Sequence, residues 1–180
     1  MEDEQDFIQD LLNPKTQNKA FQKLIQKYQR PLYSIIRNIV LNHDDADDVL
    51  QNTFIKVFLY LKKFKGDSKL FSWMYRIATN EAITFLHQKA KKNNTTSLAL
   101  QLKILDTIKS DPYFDGDEIQ IKLHKAILLL PEKQQLVFKM KYFQELKYEE
   151  LSEILGTSVG ALKASYHLAV KKIELYVKNN

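Results

Sequence analysis

Between Lys65 and Lys92 the chain reads KGDSKLFSWMYRIATNEAITFLHQKAKK, a stretch in which aromatic rings stand among cations. Nine basic and two acidic residues fall between Lys56 and Lys92. Cations attract phosphates and flat rings stack on bases, so this combination suits unpaired nucleic acid. Leu70, Trp73, Met74, Ile77, Ala78 and Ala82 recur at three- and four-residue spacing, which predicts a helix with these residues inward. Its other side would carry Lys69, Phe71, Tyr75, Arg76, Thr79, Asn80 and Ile83. The Gly66-Asp67-Ser68 turn in front is expected to start this helix with a polar cap. A core helix with a solvated basic face accounts for the same residues equally well.

A second constellation lies near the C-terminus. Tyr148–Leu155 is a short amphipathic pattern with Leu151, Ile154 and Leu155 inward. Gly156 supplies the left-handed residue that a tight turn requires, and Thr157 or Ser158 caps the next helix. In that helix Val159, Leu162 and Tyr166 sit on the core face. This is helix-turn-helix spacing, in which the second helix enters a DNA major groove, although an unrelated helical hairpin can share it. Lys163, Lys171 and Lys172 add positive charge along the second helix.

Covalent chemistry finds little support. His43, His87, His124 and His167 lack metal-ligand spacing, and none is expected to pair with a carboxylate one turn on; surface or interface roles are expected for each. No phosphate loop, nucleophile elbow or glycine-rich fingerprint occurs. Four aspartates crowd NHDDADDV at residues 42–49, but adjacent acids at a helix start diverge and no glycine-bounded calcium loop is present. Asp44 with Asp47 instead has the shape of a helix cap. No catalytic residue, metal or cofactor is expected.

The elements that must position these residues are helical throughout. The 180 residues include only four Gly and four Pro, few for a chain with many tight turns. Cysteine is absent, which fits a reducing cytoplasm; no apolar run reaches membrane length, and the acidic start does not resemble a secretory signal. Helices are expected over residues 3–12 and from Thr16 to Val40, with Pro31 kinking the second or opening a fresh one. The helix after Asp44 would bury Val49, Leu50, Thr53, Phe54, Val57, Phe58 and Leu61 and leave Asp48, Gln51, Asn52 and Ile55 outside. Polar residues 93–97 and the break at 109–116 frame a short helix from Leu98 to Ile108. Helices then follow over roughly 117–129 and 131–142, with Pro131 at the first position of the latter. The expected fold is all-α: a helical domain over 1–92, a linker over 93–116 and a second helical domain over 117–180. Charge follows the same division, with net +7 over 56–92, −3 over 93–120 and +3 over 157–180. Two basic zones about an acidic joint suggest two contacts with one polyanion.

Together these residues resemble a bacterial RNA polymerase sigma factor of the extracytoplasmic-function (ECF) group. DDADDVLQNTFIKVF at 44–58 is similar to the family's core-binding helix, and FKGDSKLFSWMYRIATN at 64–80 to its promoter-melting segment. LLPEKQQ at 129–135, with 148–172, resembles its second DNA-binding domain. The resemblance covers nearly the whole chain in the right order, and the linker is short. It implies two domains, one like sigma region 2 and one like region 4 with its helix-turn-helix.

The roles implied by the resemblance fall on matching positions. Asp48, Gln51, Asn52 and Phe54 would dock on the clamp helices of the polymerase's largest subunit. Phe64, Lys65, Gly66, Asp67 and Ser68 would capture a base flipped from the −10 element, beside Tyr75, Arg76, Thr79 and Asn80 holding the non-template strand. Trp73 reads mainly as core. Ser158, Lys163, Ser165 and His167, with Lys171 and Lys172, would meet the −35 element. Here the chain departs from the family's usual Ser-Val-Gly-Thr-Val-Lys-Ser-Arg, with Ala161, Ala164 and Ser165 for Thr, Ser and Arg. The lost arginine could have gripped guanine with two bonds, so the −35 sequence does not carry over. The resemblance also implies a cytoplasmic protein, monomeric when free, held by an anti-sigma protein and not itself inserted in a membrane. The rival is a conventional helix-turn-helix regulator with a helical sensor domain, which would have no use for rings on a basic helix.

Overall fold

The computed structural model describes residues 4–108 and 116–180; the expected break at 109–116 lies almost wholly outside them. Among the described residues there is no strand. The elements are α1 (Glu4–Leu12), α2 (Gln17–Val40), α3 (His43–Tyr60), a 3-10 turn (Leu61–Lys63), α4 (Leu70–Lys92), α5 (Ser97–Thr107), α6 (Glu118–Leu128), α7 (Glu132–Tyr142), α8 (Tyr148–Leu155) and α9 (Val159–Asn179). The all-α expectation holds.

Helices α2, α3 and α4 pack pairwise into a bundle, with α1 laid against α2 and the 3-10 turn. Pro31 neither breaks nor restarts α2, which runs unbroken to Val40. Its end comes at Leu41, whose φ of 64° is left-handed although no glycine is there, and whose N–H donates to the Arg37 carbonyl. Leu41 is buried with Leu105, Ile108 and Leu128, and that burial offsets the backbone cost. Helix α3 starts two residues earlier than Asp44 suggests. Asn42 is the cap, its side chain accepting from the Asp45 N–H at 2.9 Å, because Asn42 has the extended backbone a cap requires.

Helix α5 bridges the two halves. It packs on α4 and α6, and Gln101 Nε2 donates to the Ile39 carbonyl at 2.7 Å. Helices α6, α7 and α9 enclose their own apolar cluster of Ala126, Ile127, Leu130, Phe138, Ala169 and Ile173. Asp117 caps α6 through the Gln120 N–H, while Pro131 stands just before α7 rather than within it. Val137, Met140, Leu146, Leu151 and Ile154, from α7, α8 and the turn between them, instead join the same cluster as the core of the first bundle. The second half is therefore docked on α2 and α4.

That docking buries Lys139 of α7, whose ammonium, among the described residues, donates to Gln135 Oε1 alone, 3.4 Å away. Burial pushes its pKa down to about 8, partly opposed by the Glu132 carboxylate. Unfolded, the lysine holds its proton to a higher pH, so stability should rise as pH increases from about 8 towards 10.5. Urea titrations across that range should show this rise for the native chain and a flatter profile for Lys139→Met. At pH 7 the same variant is expected to be more stable, by about 2 kcal/mol, since it no longer desolvates a charge.

Candidate nucleic-acid and polymerase interfaces

The site begins at a loop fixed from both sides. Phe64 closes the 3-10 turn with its N–H on the Leu61 carbonyl, and its ring is half-buried against Trp73 at 5.1 Å between centroids. Gly66 has φ +78°, and a side chain there would meet no atom within 4 Å, so glycine is required by conformation and not by space. Lys65, Gly66 and Asp67 are exposed and Ser68 is half-exposed. Neither Asp67 nor Ser68 caps α4, contrary to expectation. The cap position is Lys69, and the Leu70 N–H is satisfied by Glu4 Oε1 of α1 at 2.8 Å. A carboxylate at the positive end of α4 comes from 66 residues away, where no local motif could announce it.

The exposed face of α4 is rotated by about one residue from the expected one. Tyr75 and Thr79 are buried, and Trp73 and Ile77, expected inward, are half-exposed. The Tyr75 ring turns inward because its hydroxyl finds a buried acceptor, donating to the Pro31 carbonyl at 3.1 Å. Burial pushes its pKa well above the ordinary phenol value, and the Glu150 carboxylate adds to the shift. Tyr75 and Thr79 thus leave the set of residues able to touch a strand in this arrangement. Arg76 and Asn80 remain exposed. Phe64, Trp73, Arg76, Ile77 and Asn80 then form a continuous strip of rings, cation and amide one to two helical turns long.

On α3, Asp48, Gln51 and Asn52 are exposed as expected. Phe54 is buried at 9% exposure with its ring edge on Phe21, so it supports this edge rather than offering itself. Beside the polar edge lies an apolar groove of about 550 Å3 between α2 and α3, lined by Phe21, Ile25, Gln29, Leu50, Gln51, Phe54, Ile55, Phe58 and Leu59. Ile55 and Leu59 are 57% and 64% exposed and Phe58 is 40% exposed, although Phe58 was expected inside. Periodicity on α3 alone could not reveal a groove that needs α2 to form its other wall. Within the acidic cluster Asp45 serves structure: it is buried and bonds Lys89 Nζ through both oxygens at 2.6 and 2.5 Å.

In α8 and α9 the local signals hold. Gly156 ends α8 with φ 63°, and Ser158 Oγ accepts from the Ala161 N–H to open α9. Leu162 is buried, with Val159 and Tyr166 half-buried beside it. Lys163, His167 and Lys171 are exposed at four-residue spacing along one face; Ser158 is exposed at its start. Ser165 is half-buried, and exposed Lys172 donates to Gln134 Oε1 at 3.2 Å. Two histidines depart from expectation. His43 lies 3.5 Å from Asp47 at i+4 and 2.6 Å from the Tyr33 hydroxyl. His124 is stacked on Phe143, and burial with Lys139 and Arg37 nearby lowers its pKa to about 4, so it stays neutral at pH 7.

An all-helical chain with a basic, ring-bearing helix in one half and a helix-turn-helix in the other has the arrangement expected of a two-domain DNA-binding factor. Comparison with known proteins makes this specific. Residues 24–92 match the family model of sigma-70 region 2, and residues 120–173 match that of sigma-70 region 4. The RNA polymerase sigma-H factor of Pseudomonas aeruginosa is 27% identical over 172 residues, covering 87% of this chain and 85% of that protein. The ECF RNA polymerase sigma factor SigW of Bacillus subtilis is 29% identical over 156 residues, covering 82% and 83%. Among solved structures, CnrH in complex with the cytosolic domain of CnrY matches with TM-score 0.70 at 19% identity, over 100% of this chain and 99% of CnrH. The sigma factor RpoE in complex with the anti-sigma factor NepR, from Bartonella quintana, matches with TM-score 0.64 at 19% identity, over 89% and 98%. The chain belongs to the sigma-70 family, in its ECF group, and is a transcription initiation factor.

Replacing Glu4 by Ala should lower stability by about 1 kcal/mol in urea unfolding, the usual value of a lost helix cap. Asp67→Ala should leave the midpoint unchanged.

Proposed function

We propose that this sigma factor docks on core RNA polymerase through the Asp48–Gln51–Asn52 edge of α3 and the adjacent apolar groove. It then holds the non-template −10 strand along Phe64, Trp73, Arg76 and Asn80, with Lys65, Gly66, Asp67 and Ser68 forming the mouth of a base pocket. The clamp helices of the largest subunit are the partner, and Ile55 and Leu59 supply the apolar contact that polar residues alone would lack. The single observation that supports the strand reading best is the strip of rings and cation on α4 next to a glycine turn. A flipped base needs a ring to stack on and small or polar groups at its edge.

No catalysis is required of this chain. Extruding a base costs a few kcal/mol, and stacking on an aromatic side chain returns ~1–3 kcal/mol per base. A factor that binds single strand better than duplex therefore shifts the melting equilibrium without ATP. Helix α9 supplies the −35 contact through Ser158, Lys163, His167 and Lys171, with Ser165 and Lys172 at its flank. Without an arginine at position 165, phosphate contacts and groove shape carry more of the recognition. The protein works in the cytoplasm, where the polymerase is, and no helix among the described residues is long and apolar enough to cross a membrane. An anti-sigma protein is a natural regulator, since the relative RpoE of Bartonella quintana is held by one.

Reconstitution with core polymerase and a genomic promoter pool should yield specific run-off transcripts; their absence would refute the proposal. Phe64→Ala and Asn80→Ala should spare core binding yet weaken permanganate reactivity of the −10 region about tenfold, whereas Leu59→Asp should impair core association itself. Loss of core binding in the first pair would mean the faces are assigned the wrong way round.

A further inference from the structure

A pocket of about 150 Å3 lies where α4, α5 and α7 meet, and Lys139 lines it. Its apolar walls are Ile39, Ile83, Leu86, Leu98 and Leu136. Lys139 is 2% exposed, and its ammonium donates to Gln135 Oε1 alone, at 3.4 Å, among the described residues. An ammonium has three N–H donors, so two are left without a protein acceptor there. The polar neighbours are already engaged. Gln135 spends its amide nitrogen on the Leu128 and Leu130 carbonyls, at 3.1 and 2.9 Å, which leaves only its oxygen for Lys139. The Ile39 carbonyl accepts from Gln101 Nε2 at 2.7 Å. Glu132 is at the mouth, its side chain 59% exposed and 3.5 Å from His87 Nε2. On the other side, Lys139 and Arg37 together help keep His124 neutral. The cation is therefore deep, and the carboxylate that could balance it is shallow and in water.

We propose that this pocket binds a small monocarboxylate, its anionic end on the Lys139 ammonium and its short apolar body against Leu86, Leu98 and Leu136. The volume suits a molecule of about benzene's bulk. Water in the pocket would satisfy the spare N–H donors but leave a buried charge without a counterion, which is costly at low dielectric. A carboxylate oxygen supplies acceptor and countercharge together, in a charge-assisted bond. A second negative charge would find no further cation among the lining residues and would face Glu132, so a phosphate fits less well. An apolar molecule would leave the donors unmade, and a cation is repelled. The walls come from both halves of the chain, so the site exists only while they are docked. Lys139, Gln135 and Gln101 belong to none of the proposed DNA or polymerase contacts, and the site is therefore independent of them.

Butyrate is the probe, with butyramide as its neutral isostere. Each is titrated into the full chain at pH 7 and constant ionic strength, and amide 1H–15N shifts of Leu98, Gln101 and Gln135 are followed. Butyrate should move these resonances along a saturating curve of millimolar midpoint, the affinity that roughly six non-hydrogen atoms can carry. The Asn80 amide should stay still. Butyramide should bind at least about tenfold more weakly, since it lacks the charge that Lys139 would meet. Lys139→Met and Lys139→Gln should each lose about tenfold or more in butyrate affinity while keeping the dispersed spectrum of a folded chain. Shifts that rise linearly to about 50 mM would mean that the pocket holds only water, and would overturn the inference. So would equal affinity for butyrate and butyramide within twofold, or native butyrate affinity in either folded variant.

Discussion

The inward turn of Tyr75 sets what α4 can offer. A 23-residue helix must give one side to the bundle and another to its ligand, and one residue of rotation exchanges about 100° of that surface. Tyr75 takes the core side because the Pro31 carbonyl meets its hydroxyl, and its ring packs on Phe71 at 4.4 Å. Trp73, the sole tryptophan, is then carried to the rim and lies against Phe64. The Phe64–Trp73 ring pair at the start of α4 lies opposite that hydrogen bond.

The rest of the first bundle holds that platform still. Glu4 ties α1 to the first turn of α4, and Asp45 pins Lys89 near its last. A rigid platform matters because the binding surplus is small. Stacking returns only ~1–3 kcal/mol per base, so ordering a mobile loop at the moment of capture would consume much of it. The α3 edge proposed to meet the polymerase shares the same bundle, and the polar residues there flank a groove whose walls are aromatic and aliphatic. One small core therefore supports two faces with different chemistry, a basic one proposed to take a strand and a mixed one proposed to take a protein.

Features governed by local chemistry were legible in the sequence. Gly156 and Ser158 mark the turn and cap of the helix-turn-helix because both roles depend on a residue's own backbone and side chain. Asp48, Gln51 and Asn52 fall on the open edge because the α3 stripe is regular. Where several residues could serve, the reading slipped: Asn42 rather than Asp44 caps α3, and Tyr75 rather than Trp73 enters the core. Spacing alone does not say which of two nearby rings finds a buried acceptor. Features joining distant segments were invisible, among them Glu4 at the start of α4, Phe21 against Phe58, and Gln144 between two helices of the other half. The burial of Lys139 belongs to the same class, since each of the three lysines on α7 reads as surface.

Trp73 offers the most direct measurement of strand capture. With 5-fluorotryptophan incorporated in this chain alone and the protein reconstituted with unlabelled core polymerase, the holoenzyme carries a single 19F resonance from it. Adding promoter DNA pre-melted across the −10 region should shift that resonance, and fully duplex non-promoter DNA should not. A resonance unmoved by the melted promoter, in a holoenzyme that demonstrably binds it, would contradict the account.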